Sequence, residues 1–241
     1  MPNDRFATAP ASFVDADGIR FACRRFGATD GVPLVFLQHF TGTMDGWDPS
    51  VVDGFARMRP VVLFDNAGVS RSSGETPDSV RAMAGHAVAF IAALGLTRVD
   101  LLGFSLGGFV AQVIAAQHSE LVRRIILVGT GPDGGIRADG DQPARRPSIH
   151  GATGAPYDRL ASSVSWGKSP DSEGAPRMGT ITQPVLVVNG KNDVLVPTIN
   201  SYTLFQQLPD ARLLLYPDSG HGALFQYAEE FVREGLRFLD C

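Results

Sequence analysis

Short apolar runs alternate with longer helical stretches along most of the chain. The apolar runs are rich in Leu and β-branched residues, as is typical of strands buried on both faces of a sheet. They cover residues 34–38, 61–65, 99–103, 124–129, 184–189 and 212–216. Helical patterns lie at residues 79–94, 106–118, 198–207 and 224–239. This alternation predicts an α/β fold with a doubly wound, mostly parallel sheet.

Two segments depart from the alternation. Residues 13–26 alternate in polarity around Asp17-Gly18, a dipeptide suited to a tight turn, and predict an antiparallel hairpin. Residues 131–183 are rich in Gly, Pro, Ser, Asp and Arg, and we interpret them as a reduced lid. Tyr157 and Trp166 are the large side chains of this lid that we expect to pack over a site.

Length and charge narrow the possibilities. A chain of 241 residues with 44% hydrophobic content can bury one substantial core, so we expect residues 1–241 to form a single domain. The net charge of −4 argues against a nucleic-acid or anionic-membrane surface. Cys23 and Cys241 form no disulfide framework and have no metal-ligand spacing, and no phosphate-loop motif is present. With no signal-like or membrane-spanning stretch, we expect a cytoplasmic protein without a metal or cofactor.

A serine lies at a strand-to-helix turn in the run Gly103-Phe104-Ser105-Leu106-Gly107-Gly108. Such a turn, a nucleophile elbow, is so sharp that the serine is strained and exposed, and the flanking glycines avoid collisions with neighbouring backbone. The helix that begins at Leu106 directs free N–H groups at the serine. The sequence therefore predicts a nucleophile, Ser105, and half of an oxyanion hole.

A serine nucleophile needs a base and a carboxylate that orients it. His221 lies in a loop between the last strand and the last helix, and Asp193 follows the preceding strand, in the chain order Ser, Asp, His of this type of site. The alternatives are a surface-loop role for His221 and a turn or N-cap role for Asp193. Asp218 is a rival carboxylate, although its closeness in sequence to His221 favours a role in shaping that loop.

The strand at residues 34–38 ends at His39-Phe40-Thr41, where the second oxyanion donor is expected. The N–H of either Phe40 or Thr41 could supply it. Asp65 follows a strand but precedes the nucleophile, so we assign it to the scaffold. The remaining histidines, His86, His118 and His150, are interpreted as structural.

The elbow at Ser105, the segment 189–197 with Asp193 and the loop 217–222 with His221 together resemble the α/β-hydrolase superfamily over nearly the whole chain. Within it, the chain resembles small bacterial esterases, cofactor-free haloperoxidase-like hydrolases and enol-lactonase-like enzymes. The resemblance implies an eight-stranded sheet with a lid after the sixth strand. Two features depart from the family pattern: His39-Phe40 replaces the usual His-Gly, and the lid is shorter and more polar.

The expected reaction is hydrolysis of a small-molecule ester or lactone through an acyl-enzyme, with no cofactor. A serine at the elbow disfavours dehalogenase and epoxide-hydrolase chemistry. Carbon–carbon bond hydrolysis of a diketone, non-hydrolytic cyclisation, acyl transfer and ligand binding remain alternatives on the same fold. A reduced lid predicts tolerance of bulky acyl groups. Residues expected to contact the substrate are His39, Phe104, Tyr157, Trp166 and Val194.

Overall fold

The computed structural model describes residues 5–132, 135 and 176–241. Within these ranges, eight strands form one sheet in the order β1-β2-β4-β3-β5-β6-β7-β8. Strands β3 to β8 are parallel, while β1 pairs antiparallel with β2, and β2 antiparallel with β4. The strands are β1 (Ser12–Ala16), β2 (Ile19–Gly27), β3 (Leu34–Leu37), β4 (Pro60–Phe64), β5 (Val99–Phe104), β6 (Val122–Val128), β7 (Val185–Gly190) and β8 (Ala211–Tyr216).

Helices cover both faces of this sheet. The helices of the described residues are α1 (Pro49–Ala56), α2 (Val80–Ala93), α3 (Leu106–Gln117), α4 (Ile199–Gln207), α5 (Ala223–Gln226) and α6 (Ala228–Asp240). One apolar core includes side chains of α2, α3 and α4, and a second includes side chains of α1, α5 and α6. The central strands β3, β4 and β5 are buried throughout, as their continuous apolar runs predict. The predicted doubly wound, mostly parallel sheet is confirmed.

The first two strands form the predicted hairpin. Ala16 pairs with Ile19 across a two-residue loop, and both loop residues have positive φ, 49° at Asp17 and 76° at Gly18. Positive φ at both positions gives a turn whose twist matches that of the flanking strands. The Asp-Gly dipeptide therefore fixes the register of β1 against β2.

Some elements differ from the sequence predictions. Helix α1 was not predicted, although Asp48 caps its first turn by accepting the N–H of Ser50 at 2.7 Å and Pro49 occupies its first position. The helix predicted over residues 224–239 is two helices, because Tyr227 leaves the helical conformation with φ −114° and ψ 38°. Most of the predicted lid, with Tyr157 and Trp166, lies outside the described residues.

The chain topology brings several loops to one edge of the sheet. In a parallel sheet the carboxyl ends of neighbouring strands meet at the same edge, where loops share a crevice. The segments that follow β3, β5, β7 and β8 all begin there. They carry, in chain order, His39, Ser105, Asp193 and His221.

Candidate active site

The turn between β5 and α3 holds Ser105 in a strained backbone conformation. Its φ is 54° and its ψ −114°, so the expected strain is present. The residue is only 6% exposed among the described residues, so the expected exposure is not found. A Cβ at Gly107 would lie 2.1 Å from the carbonyl oxygen of Leu37, and one at Gly103 would lie 2.4 Å from the carbonyl oxygen of Gly107. Both positions therefore require glycine. A backbone conformation of this kind costs about 1–3 kcal/mol of folding free energy, and it persists because the tightly packed surroundings of the turn hold it in place.

Two backbone N–H groups near Ser105 are available to a ligand. Leu106 is the first residue of α3, where N–H groups have no acceptor within the helix. Thr41 has a φ of 63° in a turn closed by the N–H of Gly42, which donates to the carbonyl oxygen of His39 at 2.9 Å. Within the described part of the chain, the N–H groups of Leu106 and Thr41 form no hydrogen bond.

The side chain of His39 fixes one peptide group of this turn. Its Nδ1 lies 2.8 Å from the carbonyl oxygen of Phe40, so Nδ1 carries the proton and donates. That carbonyl belongs to the same peptide group as the N–H of Thr41, and in a trans peptide the two point in opposite directions. Burial lowers the pKa of His39, the hydrogen bond to Phe40 raises it and the nearby His221 lowers it, with a net decrease. His39 is therefore neutral near pH 7.

Asp65 anchors the far end of the same loop. Its fully buried carboxylate accepts the N–H of Met44 at 2.7 Å through Oδ1 and, through Oδ2, lies 3.5 Å from the backbone nitrogen of Arg71. Met44 begins a short 3-10 helix, Met44–Gly46. Asp65 thus links the loop after β4 to the loop after β3, in the scaffold role that the sequence analysis assigned to it.

The structure brings Asp193 and His221 together. Asp193 Oδ2 lies 2.8 Å from Nδ1 of His221, and the Asp193 side chain is fully buried. Its other oxygen, Oδ1, accepts the N–H groups of Leu195 and Val196, each at 2.9 Å. Asp193 therefore serves as a turn residue and as the partner of His221 at once. The bond at Nδ1 leaves Nε2 of His221 as its remaining nitrogen.

Backbone contacts hold the Asp193 and His221 loops against each other. The N–H of Lys191 donates to the carbonyl oxygen of Tyr216 at 2.8 Å, and that of Asn192 donates to the carbonyl oxygen of Ser219 at 2.9 Å. A Cβ at Gly190 would lie 2.3 Å from the carbonyl oxygen of Ser219, so the loops approach as closely as backbones can. Main-chain contacts between the two loops therefore hold Asp193 and His221 close to each other.

Phe104 packs between two imidazole rings. Its ring centroid lies 5.0 Å from that of His221 and 5.3 Å from that of His39. Phe104 is 4% exposed, and Trp47 and Phe225 surround it on further sides. The sequence analysis expected Phe104 among the substrate contacts, and its support of the two histidines was missed. Its position next to Ser105 gave no sign of which rings it would meet.

The other candidate residues are more dispersed. Val194 follows Asp193 and is 73% exposed, so it can meet a ligand only at the rim of the site. Asp218, the rival carboxylate, accepts the hydroxyl of Tyr227 at 2.5 Å and is not paired with His221. Of the histidines interpreted as structural, His86 lies in α2 and His118 ends α3, while His150 lies outside the described residues. No group of three or more potential metal ligands occurs in the described ranges.

The geometry can support nucleophilic chemistry. A strained serine, two N–H groups with no partner among the described residues and a histidine bonded to a buried carboxylate lie at one edge of the sheet.

Comparisons with known proteins agree with the fold. The family model for the alpha/beta hydrolase fold matches residues 32–149, and a model for TAP-like proteins matches residues 158–237. A solved alpha/beta hydrolase fold protein from Chitinophaga pinensis is 37% identical, over 97% of this chain and 98% of its own, with a TM-score of 0.81. The chain belongs to the alpha/beta hydrolase fold family.

Two relatives of this family illustrate the named activities of proteins that are similar to this chain. A mouse (Mus musculus) protein named serine hydrolase BPHL is 29% identical, over 86% of this chain and 73% of its own. A 2-hydroxy-6-oxononadienedioate/2-hydroxy-6-oxononatrienedioate hydrolase from Dechloromonas aromatica is 27% identical, over 87% of each chain. Among the described residues, no helix combines the length and apolar character needed to cross a bilayer.

Proposed function

We propose that this alpha/beta hydrolase is a serine hydrolase that cleaves a carboxylic ester or lactone through Ser105, His221 and Asp193. The observation that carries the proposal is the 2.8 Å bond between His221 Nδ1 and the buried Asp193 carboxylate, at the sheet edge where Ser105 also lies. That bond holds His221 in the tautomer whose Nε2 can accept a proton. The relative named as a serine hydrolase supports the same chemistry.

In the proposed reaction, His221 Nε2 takes the Ser105 hydroxyl proton while Oγ bonds to the acyl carbon. The tetrahedral intermediate expels the alkoxide, which leaves with the proton from His221. Water then gives a proton to His221 and attacks the acyl-enzyme, and the acid is released as Ser105 regains its proton. The Ser105 hydroxyl forms no hydrogen bond within the described residues, so its contact with His221 belongs to the proposal and would form when substrate binds.

The oxyanion of that intermediate would be held by Leu106 and Thr41. Of the two candidates for the second donor, Thr41 is favoured because His39 engages the opposite side of its peptide group, at the carbonyl of Phe40. The positive end of α3 adds to this stabilisation. Removal of one such donor typically lowers the rate by about 100- to 1,000-fold.

The substrate is proposed to be a small molecule, including ones with bulky acyl groups. Of the residues expected to contact it, His39 is partly exposed, and its Nε2 has no hydrogen-bond partner among the described residues. Because the proton is on Nδ1, Nε2 can accept a hydrogen bond. Val194 would lie at the rim. His39 therefore offers a polar contact to a substrate hydroxyl or amide.

Hydrolysis of a carbon–carbon bond is a second candidate, favoured by the relative from Dechloromonas aromatica. That relative is named as a hydrolase of 2-hydroxy-6-oxo compounds, and in this chain Ser105, His221 and Asp193 would serve the hydrolysis of a diketone carbon–carbon bond. Cyclisation, acyl transfer or binding without turnover would leave Ser105 in place but give different products. Product analysis separates these cases.

The test is hydrolysis of a panel of p-nitrophenyl esters, simple lactones and a 2-hydroxy-6-oxo-dienoate by the wild type and Ser105→Ala. Ser50→Ala, an exposed serine of α1, is the matched control. We expect ester or lactone turnover that Ser105→Ala abolishes and Ser50→Ala retains, with long acyl chains accepted. Turnover of the dienoate alone would replace the ester proposal by the second candidate. Equal activity in Ser105→Ala would overturn both.

A further inference from the structure

The ring of Phe104 lies against the imidazole of His221 in a way that the proposed reaction does not explain. The centroids are 5.0 Å apart and the ring planes differ by 35°, closer to parallel than to edge-on. The ring is 4% exposed, so water does not cover it. Any apolar side chain could fill the space, whereas an aromatic ring presents a negative face to its neighbour.

This face matters because His221 becomes a cation during the proposed reaction. A cation within about 6 Å of an aromatic ring centroid is attracted by its quadrupole, more strongly where water is excluded. Resting on the proposed role of His221 as the base, we propose that the Phe104 ring stabilises the imidazolium of His221 by a cation–π interaction. Phe104 is then a positioning residue that acts on the reaction through His221.

The surroundings of Phe104 keep the two rings in contact. Phe225 packs edge-on against Phe104 with centroids 5.6 Å apart. At the end of the neighbouring parallel strand β6, a Cβ at Gly129 would lie 3.2 Å from both Cε1 and Nδ1 of His221 and 3.2 Å from Cε2 of Phe104. A side chain at position 129 would therefore crowd both rings, and glycine leaves that space to them.

Among the described residues, Asp193 and His39 are titratable groups that lie near His221. Asp193, from the loop after β7, lies 2.8 Å from Nδ1 through Oδ2. His39, from the end of β3, contacts the same Phe104 ring at 5.3 Å with planes 59° apart. Burial lowers the pKa of His39, so near pH 7 it adds no competing charge. Of the two imidazole rings that contact Phe104, only that of His221 is therefore a candidate for the cation.

Site-specific replacement of Phe104 by 4-fluoro-, 3,5-difluoro- and 3,4,5-trifluorophenylalanine tests the inference, because fluorine withdraws charge from the ring face with little change in shape. The titration of His221 is followed by NMR of its Cε1–H in Ser105→Ala protein, and kcat/KM is measured with Ser105 intact. The same amino acids at Phe90, a fully buried ring in the other core, serve as the control. Phe104→Leu keeps the apolar volume but removes the ring face.

We expect the titration midpoint of His221 to fall stepwise with each fluorine, by about 0.5 pH unit at three fluorines, and kcat/KM to fall about threefold in parallel. Phe104→Leu should lower both by at least as much, and the Phe90 series should change neither. A midpoint that fluorination leaves unchanged would overturn the inference, as would a shifted midpoint with unchanged kcat/KM. If the wild type hydrolyses nothing, the proposed function fails, while the NMR titration still decides whether the ring stabilises the cation.

Discussion

Asp193→Asn separates the two tasks of this buried carboxylate. The asparagine oxygen can replace Oδ1 and accept the N–H groups of Leu195 and Val196, now bonded at 2.9 Å. Its amide nitrogen then faces Nδ1 of His221, where a carboxylate oxygen lies at 2.8 Å in the wild type. An amide N–H selects the tautomer with a bare Nδ1, so Nε2 carries the proton and cannot accept one from Ser105.

The expected loss of kcat is about 10⁴-fold, the size of this effect where the same exchange has been made in a serine protease triad. The free energy of unfolding should change by less than about 1 kcal/mol, because the loop hydrogen bonds are retained. Asp193→Ala should lose similar activity but cost about 2 kcal/mol more in stability, since the buried N–H of Val196 then lacks an acceptor.

The assay is ester hydrolysis together with urea unfolding of both variants and the wild type. An Asp193→Asn variant with more than a tenth of wild-type kcat would show that activity does not depend on the tautomer of His221. Equal destabilisation by Asn and Ala would show instead that the loop, not the imidazole, depends on the negative charge.

Three further predictions address the elbow, the oxyanion loop and the thiols. Gly107→Ala should lower the free energy of unfolding by several kcal/mol or prevent folding, because its Cβ would lie 2.1 Å from the carbonyl oxygen of Leu37. Gly85→Ala in α2, where the Cβ would meet open space, should instead raise the free energy of unfolding by about 0.5–1 kcal/mol. Urea titrations measure both. His39→Ala should lower kcat about tenfold, because its bond to the carbonyl of Phe40 is lost, and should raise KM for substrates that bond to Nε2. An unchanged kcat would contradict the role of the bond to Phe40. Cys23 should react with a thiol reagent far more slowly than the exposed Cys241 at pH 8, since burial raises the pKa of Cys23 and leaves little thiolate; two equally fast thiols would contradict its burial.

The sheet could be predicted from the sequence because its signals are local. Buried strands appear as continuous apolar runs, and Asp17-Gly18 specifies its own turn through positive φ at both residues. Helix α1 also has a local signal, because Asp48 is an N-cap residue and Pro49 follows it at the first helical position. The break at Tyr227 had none, because it depends on how α5 and α6 pack against the sheet.

The positions of the candidate site residues could be predicted in part for the same reason. Ser105, Asp193 and His221 follow strand ends, and parallel topology alone brings strand ends together. The position of Phe104 against His221 and the bond from His39 to the carbonyl of Phe40 depend on side-chain rotamers. A rotamer is set by the neighbours that the fold supplies, so sequence spacing does not reveal it.

Covalent labelling of Ser105 shows whether His221 activates this serine as a nucleophile. The wild type, Ser105→Ala and His221→Ala are each incubated with a fluorophosphonate, and the modified residue is identified by mass spectrometry of peptides. The account predicts one phosphonyl group on Ser105 in the wild type, none in Ser105→Ala and strongly slowed labelling in His221→Ala. An unlabelled wild type, or labelling that is as fast without His221, would contradict a nucleophile activated by this histidine.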